Sequence, residues 1–334
     1  MQKMISPDRS VLVWGGLGFL GRHLVTRLLD DGYRVSVLCR SRGLSPVPQW
    51  ASEVEWFEFS EHGDNHITLA RAVSSASIIY DFAGSSGAMT SNRDPLESLD
   101  SNCRAQLEML KACEAAGHNP HVVLASSWLV YGETGDEPIN ERTPPAPRSM
   151  YAAHKLAVEH YLNIFARRNR ISYTVCRISN PYGFDESKPG KTYKVLNSFI
   201  EHALENTPIT LFGDGGQLRD FIYVSDLVDA LMLCGTVEAA RNEVFNISRG
   251  KSYSMREAVE TIRDLVGAPA VIFKPWPEEY KAVESGDYIA DISKAREKLG
   301  FNPIHDLKTG LEATIARYRH LRLQQSARAA NTNF

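Results

Sequence analysis

A glycine-rich turn near the start of the chain restricts the possible folds more than any other feature. A short apolar run at residues 11–14 leads directly into this turn, and an amphipathic segment follows to about residue 31. In a strand–turn–helix unit, such glycines allow a tight turn, close approach of the backbone to a pyrophosphate, and close helix–sheet packing. The helix N-terminus adds a favourable anion site. The sequence therefore predicts dinucleotide binding by Gly15, Gly18, Phe19, Leu20 and Gly21.

The alternation of apolar strand and helix continues along the chain. Several of the apolar runs carry no polar alternation, which is typical of parallel strands covered on both faces. We therefore expect an α/β fold with a Rossmann-type doubly wound parallel sheet and a smaller C-terminal substrate-binding lobe. After the first run, the predicted strands are residues 34–38, 54–59, 78–82, 122–125, 173–177 and 244–247.

One intervening helix is marked at both ends. Asp94 is a suitable N-cap, Pro95 fits a first helical turn, and Gly117 follows the last helical position. The sequence predicts a helix from about Asp94 to Ala116.

The pattern changes after about residue 180, which indicates a second unit. We expect a Rossmann domain of residues 1–180, with residues 221–250 contributing a strand and a helix to it. Residues 181–220 and 251–322 would form the substrate-binding lobe, and the polar residues 323–334 a disordered tail. Within the lobe, the predictions are a helix at 195–204, a strand at 209–212, an irregular stretch at 271–287 and a helix at 307–322.

A later helix carries the clearest chemical pattern. It follows a proline-rich loop and extends from Ser149 to about Arg168, with apolar residues at helical spacing. Tyr151, Lys155 and Glu159 fall in one row on one face of it. A phenol with a pKa of ~10 is a poor base at neutral pH, but an ammonium one helical turn away favours the phenolate. From this spacing alone, a chance surface pair remains an alternative.

Charge and composition exclude several classes of function. A net charge of -3 gives no reason to expect nucleic acid or an anionic membrane as partner. The five cysteines contain no Cys-x-x-Cys pair and indicate buried thiols in a reducing compartment. The ten histidines show no ligand spacing, so we expect no metal. Without a visible signal peptide, the expected location is cytoplasmic.

The glycine turn combined with Tyr151-x-x-x-Lys155 resembles the extended short-chain dehydrogenase/reductase family. These are NAD(P)-dependent epimerases and dehydratases that act on nucleotide sugars. The resemblance covers nearly the whole chain. Its further motifs are Phe82-Ala83-Gly84, Asn102, the Ser-Ser-x-x-Val-Tyr-Gly segment at 126–132, the Arg-x-x-Asn-x-Tyr-Gly segment at 177–183, and the Gly-Asp-Gly-x-x-x-Arg-Asp segment at 213–220.

The resemblance implies three catalytic residues. Ser127 would hydrogen-bond the reacting hydroxyl or ketone, and Tyr151 would move the proton. Lys155 would lower the tyrosine pKa and hold the nicotinamide ribose. The resemblance places the cofactor against Tyr151, Lys155, Phe82, Ala83, Gly84 and Asn102 in addition to the glycine turn.

The resemblance also implies a site for the substrate and a homodimer. Asn180 and Arg219 would hold the diphosphate of a nucleotide sugar, since a guanidinium suits phosphate. From the residues alone, Asn180 could instead be a cap, and Arg219 could pair with Asp220 on the surface. In the family, the helices at 94–116 and 149–168 pack against their symmetry mates.

The second strand predicts which cofactor is used. Where an acidic residue would grip the ribose 2′-hydroxyl, the sequence has Arg40, which suits a 2′-phosphate. NADP is therefore favoured over NAD, although Arg40 could instead stack on the adenine or be solvated.

Three departures from the family pattern bear on function. Family dehydratases carry Asp-Glu directly after the catalytic hydroxyl residue, but this chain has Trp128-Leu129, so we expect neither dehydration nor decarboxylation. Trp128 would be either a wall of the sugar pocket or plain core packing. Glu284 stands where the family often has arginine, which implies an unusual substrate or a displaced loop, with Lys281 as a possible compensating charge. Trp14 replaces a usual threonine without a functional explanation.

These observations predict an enzyme with a nucleotide-sugar substrate. The favoured activity is C4 epimerisation, with NADPH-dependent reduction of a 4-keto sugar nucleotide as the close alternative. A non-catalytic cofactor-sensing protein is the third reading, but such proteins typically lose the tyrosine and lysine that this chain retains.

Overall fold

The computed structural model describes residues 10–40, 46–60, 63–135, 137–186, 195–267 and 269–331. Its strands are β1 (Ser10–Trp14), β2 (Arg34–Cys39), β3 (Glu55–Glu58), β4 (Ile78–Asp81), β5 (His121–Ser127), β6 (Ser172–Ile178), β7 (Asn180–Tyr182), β8 (Ile209–Phe212), β9 (Leu218–Tyr223), β10 (Glu243–Ile247), β11 (Ser252–Ser254) and β12 (Val271–Lys274).

The α-helices of the described residues alternate with many of these strands. They are α1 (Phe19–Asp30), α2 (His66–Val73), α3 (Ala88–Arg93), α4 (Pro95–Leu99), α5 (Ala105–Ala116), α6 (Met150–Arg167), α7 (Val195–Leu204), α8 (Val224–Thr236), α9 (Met255–Val266), α10 (Glu278–Lys281), α11 (Ser293–Leu299) and α12 (Leu307–Asn331).

A seven-stranded sheet forms the centre of the fold. Its order is β10-β6-β5-β4-β1-β2-β3, and every neighbouring pair is parallel. The strand order reverses at β1, which lies between β2 and β4, and ligands of doubly wound sheets bind at such a switch point. The predicted Rossmann-type fold is therefore confirmed, and each of the seven predicted strands belongs to this sheet.

Both faces of the sheet are covered, which explains why several of its strands are nearly continuous apolar runs. Successive side chains of β1 enter opposite layers because strand side chains alternate between faces. Val11 and Val13 pack with apolar side chains of α1 and α8. Leu12 and Trp14 pack in the other layer, with side chains of α2, α5 and α6. Trp14, whose role the sequence leaves open, is a core residue, with its ring centroid 5.3 Å from that of Phe59.

The rest of the chain builds a smaller hydrophobic core. It contains a three-stranded sheet of order β11-β9-β7, a two-stranded sheet of β12 and β8, and helices that include α7, α9 and α12. The stretch 271–287, predicted as irregular, instead contains strand β12, which pairs parallel with β8, and the short helix α10. The division of the chain into two domains at the predicted boundaries remains a prediction.

Two helices differ from their predictions, one in its interior and the other in its end. The helix predicted from Asp94 to Ala116 has the predicted ends: the Asp94 carboxylate accepts a bond from the Glu97 N–H, and Gly117 is left-handed. Between α4 and α5, however, it passes through a π-helical segment, Asp100–Arg104. Helix α12 continues to Asn331 instead of ending near residue 322, so residues 323–331 are helical and not a disordered tail. Residues 332–334 lie outside the described residues.

Two further observations concern the described residues as a whole. All five cysteines are buried thiols. In the part of the chain that the structure describes, none of the helices has the length and apolarity needed to cross a membrane.

Candidate active site

Most of the predicted site residues come together at the carboxyl edge of the seven-stranded sheet. Gly15 follows β1, Arg40 follows β2, Phe82 follows β4, and Ser127 is the last residue of β5. Because parallel strands end at the same edge, residues far apart in sequence meet there. This is the edge at which doubly wound sheets bind their ligands.

The glycine turn has the geometry that the sequence predicts. Gly15 has a φ of +86°, and a Cβ on Gly21 would lie 2.3 Å from the Gly15 carbonyl oxygen, so both positions require glycine. Gly18 is the exposed N-cap of α1, and as a glycine it has no side chain that could cap the helix. The positive end of the α1 dipole therefore opens onto the sheet edge, where a pyrophosphate fits. Phe19 and Leu20 form the first turn of α1.

Gly84 and Asn102 are fitted to each other beside this turn. Gly84 has a φ of +119°, and a Cβ there would lie 2.2 Å from the Asn102 side-chain oxygen. Asn102 lies in the π-helical segment, where its Nδ2 donates to the carbonyls of Ser85 (3.2 Å) and Ser98 (3.1 Å). Its Oδ1 is buried with no hydrogen-bond partner. A hydrogen-bond donor of a bound cofactor would satisfy this buried acceptor, which lies beside the glycine turn.

Asp81 is a functional candidate that the sequence analysis missed. It ends β4, is buried, and accepts a hydrogen bond from the Ala83 N–H at 3.0 Å, which fixes the turn at Phe82 and Ala83. Burial raises the pKa of its carboxyl to about 6, and the charge of Lys155 opposes that rise. The sequence signal that could have identified Asp81 was its position: an acidic residue ends an apolar strand directly before the predicted cofactor residues.

Tyr151, Ser127 and Lys155 are brought together from α6 and β5. The Ser127 side chain lies close enough to the Tyr151 phenol to lower its pKa. The Ser127 Oγ also accepts the Leu129 N–H at 3.2 Å. The Lys155 Nζ lies 5.9 Å from the centroid of the Tyr151 ring, and Lys155 is buried. The three predicted catalytic side chains thus form one cluster.

The electrostatics of this cluster differ from the prediction. Burial raises the pKa of the Tyr151 phenol to about 12, and the interaction that lowers it is the Ser127 hydrogen bond. Burial also lowers the pKa of the Lys155 ammonium, whereas the nearby charge of Asp81 raises it. The lysine charge therefore interacts with Asp81, and the predicted lowering of the Tyr151 pKa by Lys155 is not found.

The start of α6 is held in place by polar contacts. The Ser149 Oγ accepts the Ala152 N–H at 3.2 Å and caps the helix, which begins directly after the proline-rich loop as predicted. Across from it, the Ser91 Oγ accepts the Tyr151 N–H at 2.9 Å. These bonds fix the position of the tyrosine relative to the sheet edge.

Glu159, two turns beyond Tyr151, forms a buried ion pair that the sequence did not predict. Its Oε2 lies 2.7 Å from Nη2 of Arg177 on β6, and both side chains are only 6% exposed. Its Oε1 accepts the Ser126 Oγ–H at 2.5 Å, so the pair ties α6 to the ends of β5 and β6. The Arg177 Cζ also lies 4.7 Å from the centroid of the Tyr131 ring.

Trp128 packs in an aromatic stack directly after Ser127. Its ring is 5% exposed and stacks on Tyr288, with centroids 4.4 Å apart. The Arg219 Cζ lies 5.4 Å from the centroid of the indole ring. Trp128 is therefore a core residue that also supports Arg219.

The predicted substrate residues lie on neighbouring strands of the small sheet. Asn180, on β7, donates from Nδ2 to the Asp220 carbonyl at 3.1 Å and is not a helix cap. Arg219, on β9, pairs with Glu284 and not with Asp220. Asp220 is buried and accepts the backbone N–H groups of Arg249 (3.0 Å) and Gly250 (2.8 Å). Burial raises the pKa of its carboxyl to about 7.

Comparison with known families agrees with this architecture. The model of the family described as "NAD dependent epimerase/dehydratase family" matches residues 11–248 of this chain. The matched span holds the seven-stranded sheet and the Ser127–Tyr151–Lys155 cluster. The chain belongs to the NAD-dependent epimerase/dehydratase family.

Several characterised proteins are similar over almost their whole length. A UDP-glucose 4-epimerase of Mycolicibacterium smegmatis is 31% identical, covering 92% of this chain and 98% of the relative. A dTDP-4-dehydro-6-deoxyglucose reductase of Escherichia coli is 28% identical, covering 95% and 99%. The crystal structure of a UDP-glucose 4-epimerase of Thermotoga maritima with UDP-glucose superposes with a TM-score of 0.84 at 29% identity, covering 93% and 99%.

Proposed function

We propose that this protein is a nucleotide-sugar C4 epimerase that uses a nicotinamide dinucleotide. The observation that carries the proposal is the cluster of Ser127, Tyr151 and Lys155 at the end of β5. Trp128 and Leu129 follow the serine directly. The cluster can exchange a proton with a sugar hydroxyl, while no carboxylate follows the serine to promote elimination of water. Its relatives include UDP-glucose 4-epimerases, which supports the same activity.

The residues at the sheet edge fit the cofactor. The glycine turn would hold the pyrophosphate against the α1 N-terminus. The Asn102 Oδ1, which has no partner, would accept a hydrogen bond from the cofactor nearby. Phe82, Ala83 and Gly84 would line the site, and Lys155 would reach the nicotinamide ribose. When bound, the cofactor supplies a hydride acceptor and donor for the sugar C4.

The chain's own residues handle the proton. Tyr151 would accept the proton of the sugar 4-hydroxyl as C4 is oxidised, and Ser127 would hydrogen-bond the same oxygen. Lys155 would hold positive charge beside the tyrosine as it becomes anionic. After the keto sugar has presented its other face, Tyr151 returns the proton, so C4 is inverted with no net change in protons or electrons.

The substrate would lie between this cluster and the small sheet. Asn180 and Arg219 would face its phosphates, and the Trp128 region would border the sugar. The five buried thiols support a reducing compartment, so we place the enzyme in the cytoplasm.

The decisive experiment separates epimerisation from net reduction. The purified protein is incubated with a panel of nucleotide sugars and no added reduced cofactor, and the C4 configuration is followed by proton NMR. We expect inversion of at least one sugar nucleotide without net loss of cofactor. If nothing on the panel epimerises, while a 4-keto sugar nucleotide is reduced with matching NADPH loss, the reductase assignment replaces this one. Arg40 favours that second candidate, because NADPH is the usual stoichiometric reductant.

Arg40 also predicts the preference between cofactors. It is exposed at the carboxyl end of β2, where a ribose 2′-phosphate would lie. We expect Arg40→Asp to weaken NADP binding by about 1.5–3 kcal/mol, the value of a charge-assisted contact, and to affect NAD far less. Fluorescence titration with both cofactors measures this. The control is Arg34→Asp at the other end of the same strand, which should not change the ratio. Equal weakening of both cofactors by Arg40→Asp would rule the contact out.

We further propose a homodimer built on α4 and α6. These helices pack together, and apolar side chains remain exposed on them: Leu96 (72%), Leu99 (39%) and Met150 (45%). Leu96 and Leu99 are three residues apart and share a helix face. A self-complementary interface would cover such a surface.

The assembly can be tested by sedimentation at micromolar protein. We expect a dimer for the natural chain and a monomer for Leu96→Glu combined with Leu99→Glu. Ile67→Glu, at an exposed apolar position on α2, serves as the control and should remain dimeric. A monomeric natural chain under these conditions would contradict the proposal.

A further inference from the structure

Glu284 lies in a segment that is docked firmly against the rest of the protein. The segment 284–290 runs between strand β9 and the residues Thr134 and Ile139, with which it forms hydrogen bonds. The Thr134 N–H donates to the Ser285 carbonyl at 3.0 Å, and the Leu218 N–H donates to the Asp287 carboxylate at 2.7 Å. The Ile139 N–H donates to the Ile289 carbonyl at 2.8 Å. These hydrogen bonds hold the segment in a defined position, with Glu284 beside Arg219.

The charge of Arg219 is already balanced within this arrangement. Its Nη1 donates to the carbonyls of Leu218 (2.8 Å) and Gly286 (2.7 Å), and its Nη2 forms an ion pair with Glu284. Its guanidinium also lies over the Trp128 ring. The Arg219 side chain is 12% exposed, and that of Glu284 is 26% exposed. A ligand phosphate approaching this guanidinium would therefore meet a carboxylate that already occupies it.

We propose that Glu284 competes with the substrate's diphosphate for Arg219 and thereby sets how strongly the site recognises phosphate. The inference rests on the proposed function, since it concerns a nucleotide-sugar substrate. A carboxylate and a phosphate are both acceptors for the same guanidinium edge, and they repel each other at close range. The second phosphate of a nucleotide then adds little affinity, and the nucleoside and sugar supply most of the binding.

The geometry makes Glu284 a determinant of specificity. Lys281, the cation considered as compensation, instead pairs with Glu278 at 2.6 Å, and that pair is exposed. Within the described residues, the Arg219 guanidinium thus meets Glu284 while Lys281 is engaged elsewhere. Neutralising Glu284 should expose the phosphate-binding capacity of Arg219 without altering the Ser127–Tyr151 pair.

The test compares uridine monophosphate and uridine diphosphate by isothermal titration calorimetry. For the natural chain, we expect the two dissociation constants to differ by less than about threefold, because the added phosphate gains little from a paired arginine. Glu284→Gln keeps the side-chain size and removes the charge. We expect it to tighten diphosphate binding by about tenfold or more relative to monophosphate, the size of one charge-assisted bond.

Two further variants separate a local effect from a general one. Glu278→Gln removes an equal charge from the neighbouring exposed pair and should leave the ratio of the two constants unchanged. In an Arg219→Gln background, Glu284→Gln should lose its effect, because Glu284 acts through Arg219. Unchanged thermal unfolding and cofactor binding verify that each variant is folded.

The outcomes distinguish this inference from the proposed function. If the natural chain already prefers the diphosphate strongly and Glu284→Gln does not change the ratio, Glu284 is not a competitor, and the epimerase proposal is unaffected. An equal gain from Glu278→Gln, or a gain that persists without Arg219, would likewise overturn the inference alone. If neither nucleotide binds while the dinucleotide cofactor does, the nucleotide-sugar proposal fails, and this inference fails with it.

Discussion

Tyr151→Phe is expected to lower kcat by about 10²–10⁴ while leaving the fold intact, because it removes the hydroxyl that would move the proton and keeps the ring. The phenol lies beside Ser127, and burial raises its pKa to about 12, so it is protonated in the resting cluster. A group with such a high pKa becomes a useful base only when nearby positive charge favours the phenolate. Lys155, 5.9 Å from the ring centroid, is the side chain placed to contribute that charge.

The measurement is turnover with the best sugar nucleotide found by NMR, together with cofactor affinity and thermal unfolding. Tyr161→Phe is the matched control: it lies on the same helix, α6, beyond the catalytic row, and should retain near-normal turnover. Turnover of Tyr151→Phe within about threefold of the natural chain would remove Tyr151 from the mechanism, since acid–base loss is far larger. A Tyr151→Phe variant that unfolds at a lower temperature, or that binds the cofactor more weakly, would contradict the expectation of an intact fold.

The seven strands of the main sheet could be predicted because burial on both faces leaves a strong local signature. β1 and β4 are apolar at all but one position each, every residue of β6 is buried, and the helices between the strands carry caps such as Asp94 and Gly117. In contrast, most side chains of β12 are exposed, so its pairing with β8 has no local signal. The π-helical segment in the helix before Gly117 could not be predicted either, because it differs from an α-helix in its backbone hydrogen bonds and no residue type marks it.

The candidate site also has parts that the sequence could predict and parts that it could not. The glycine turn and the Tyr151–Lys155 spacing are local patterns, and chemistry restricts the residue types that can fill them. The pairing of Arg219 with Glu284 joins residues 65 positions apart, and it depends on how the segment 284–290 docks. The link between Lys155 and Asp81 depends on how α6 packs against the central sheet, where it contacts β5 and β6. Partner choice among charged residues is a property of the assembled fold, so the sequence could name Arg219 and Glu284 without joining them.

The largest expected effect on stability comes from Glu159→Ala. This change leaves the Arg177 guanidinium buried without its carboxylate, and removing one partner of a buried pair typically costs about 3–5 kcal/mol. Burial alone would lower the pKa of Arg177, but the hydrogen bonds and charge of Glu159 hold it above its usual value. Such a loss is a large fraction of the total stability of a typical protein, about 5–15 kcal/mol.

The pair can be tested by chemical denaturation with two comparison variants. Glu205→Ala removes one partner of an exposed pair with Arg322, whose side chains are 38% and 54% exposed, and should cost less than about 1 kcal/mol. Glu159→Leu combined with Arg177→Met removes both buried charges and should recover much of the lost stability, because no unpaired ion remains. A Glu159→Ala variant as stable as Glu205→Ala would show that the buried pair contributes little.

The double variant also separates stability from catalysis. Glu159 accepts a bond from Ser126, the residue before Ser127, and lies one helical turn beyond Lys155. Apolar replacements can fill the space left by the pair, but they cannot hold the Ser126 hydroxyl. We therefore expect the double variant to regain stability while its kcat stays reduced, because Ser127 is no longer fixed relative to Tyr151. If the double variant regains both stability and kcat, the Glu159–Arg177 pair serves folding alone. If it regains stability without kcat, Glu159 is a positioning residue that holds Ser127 relative to Tyr151.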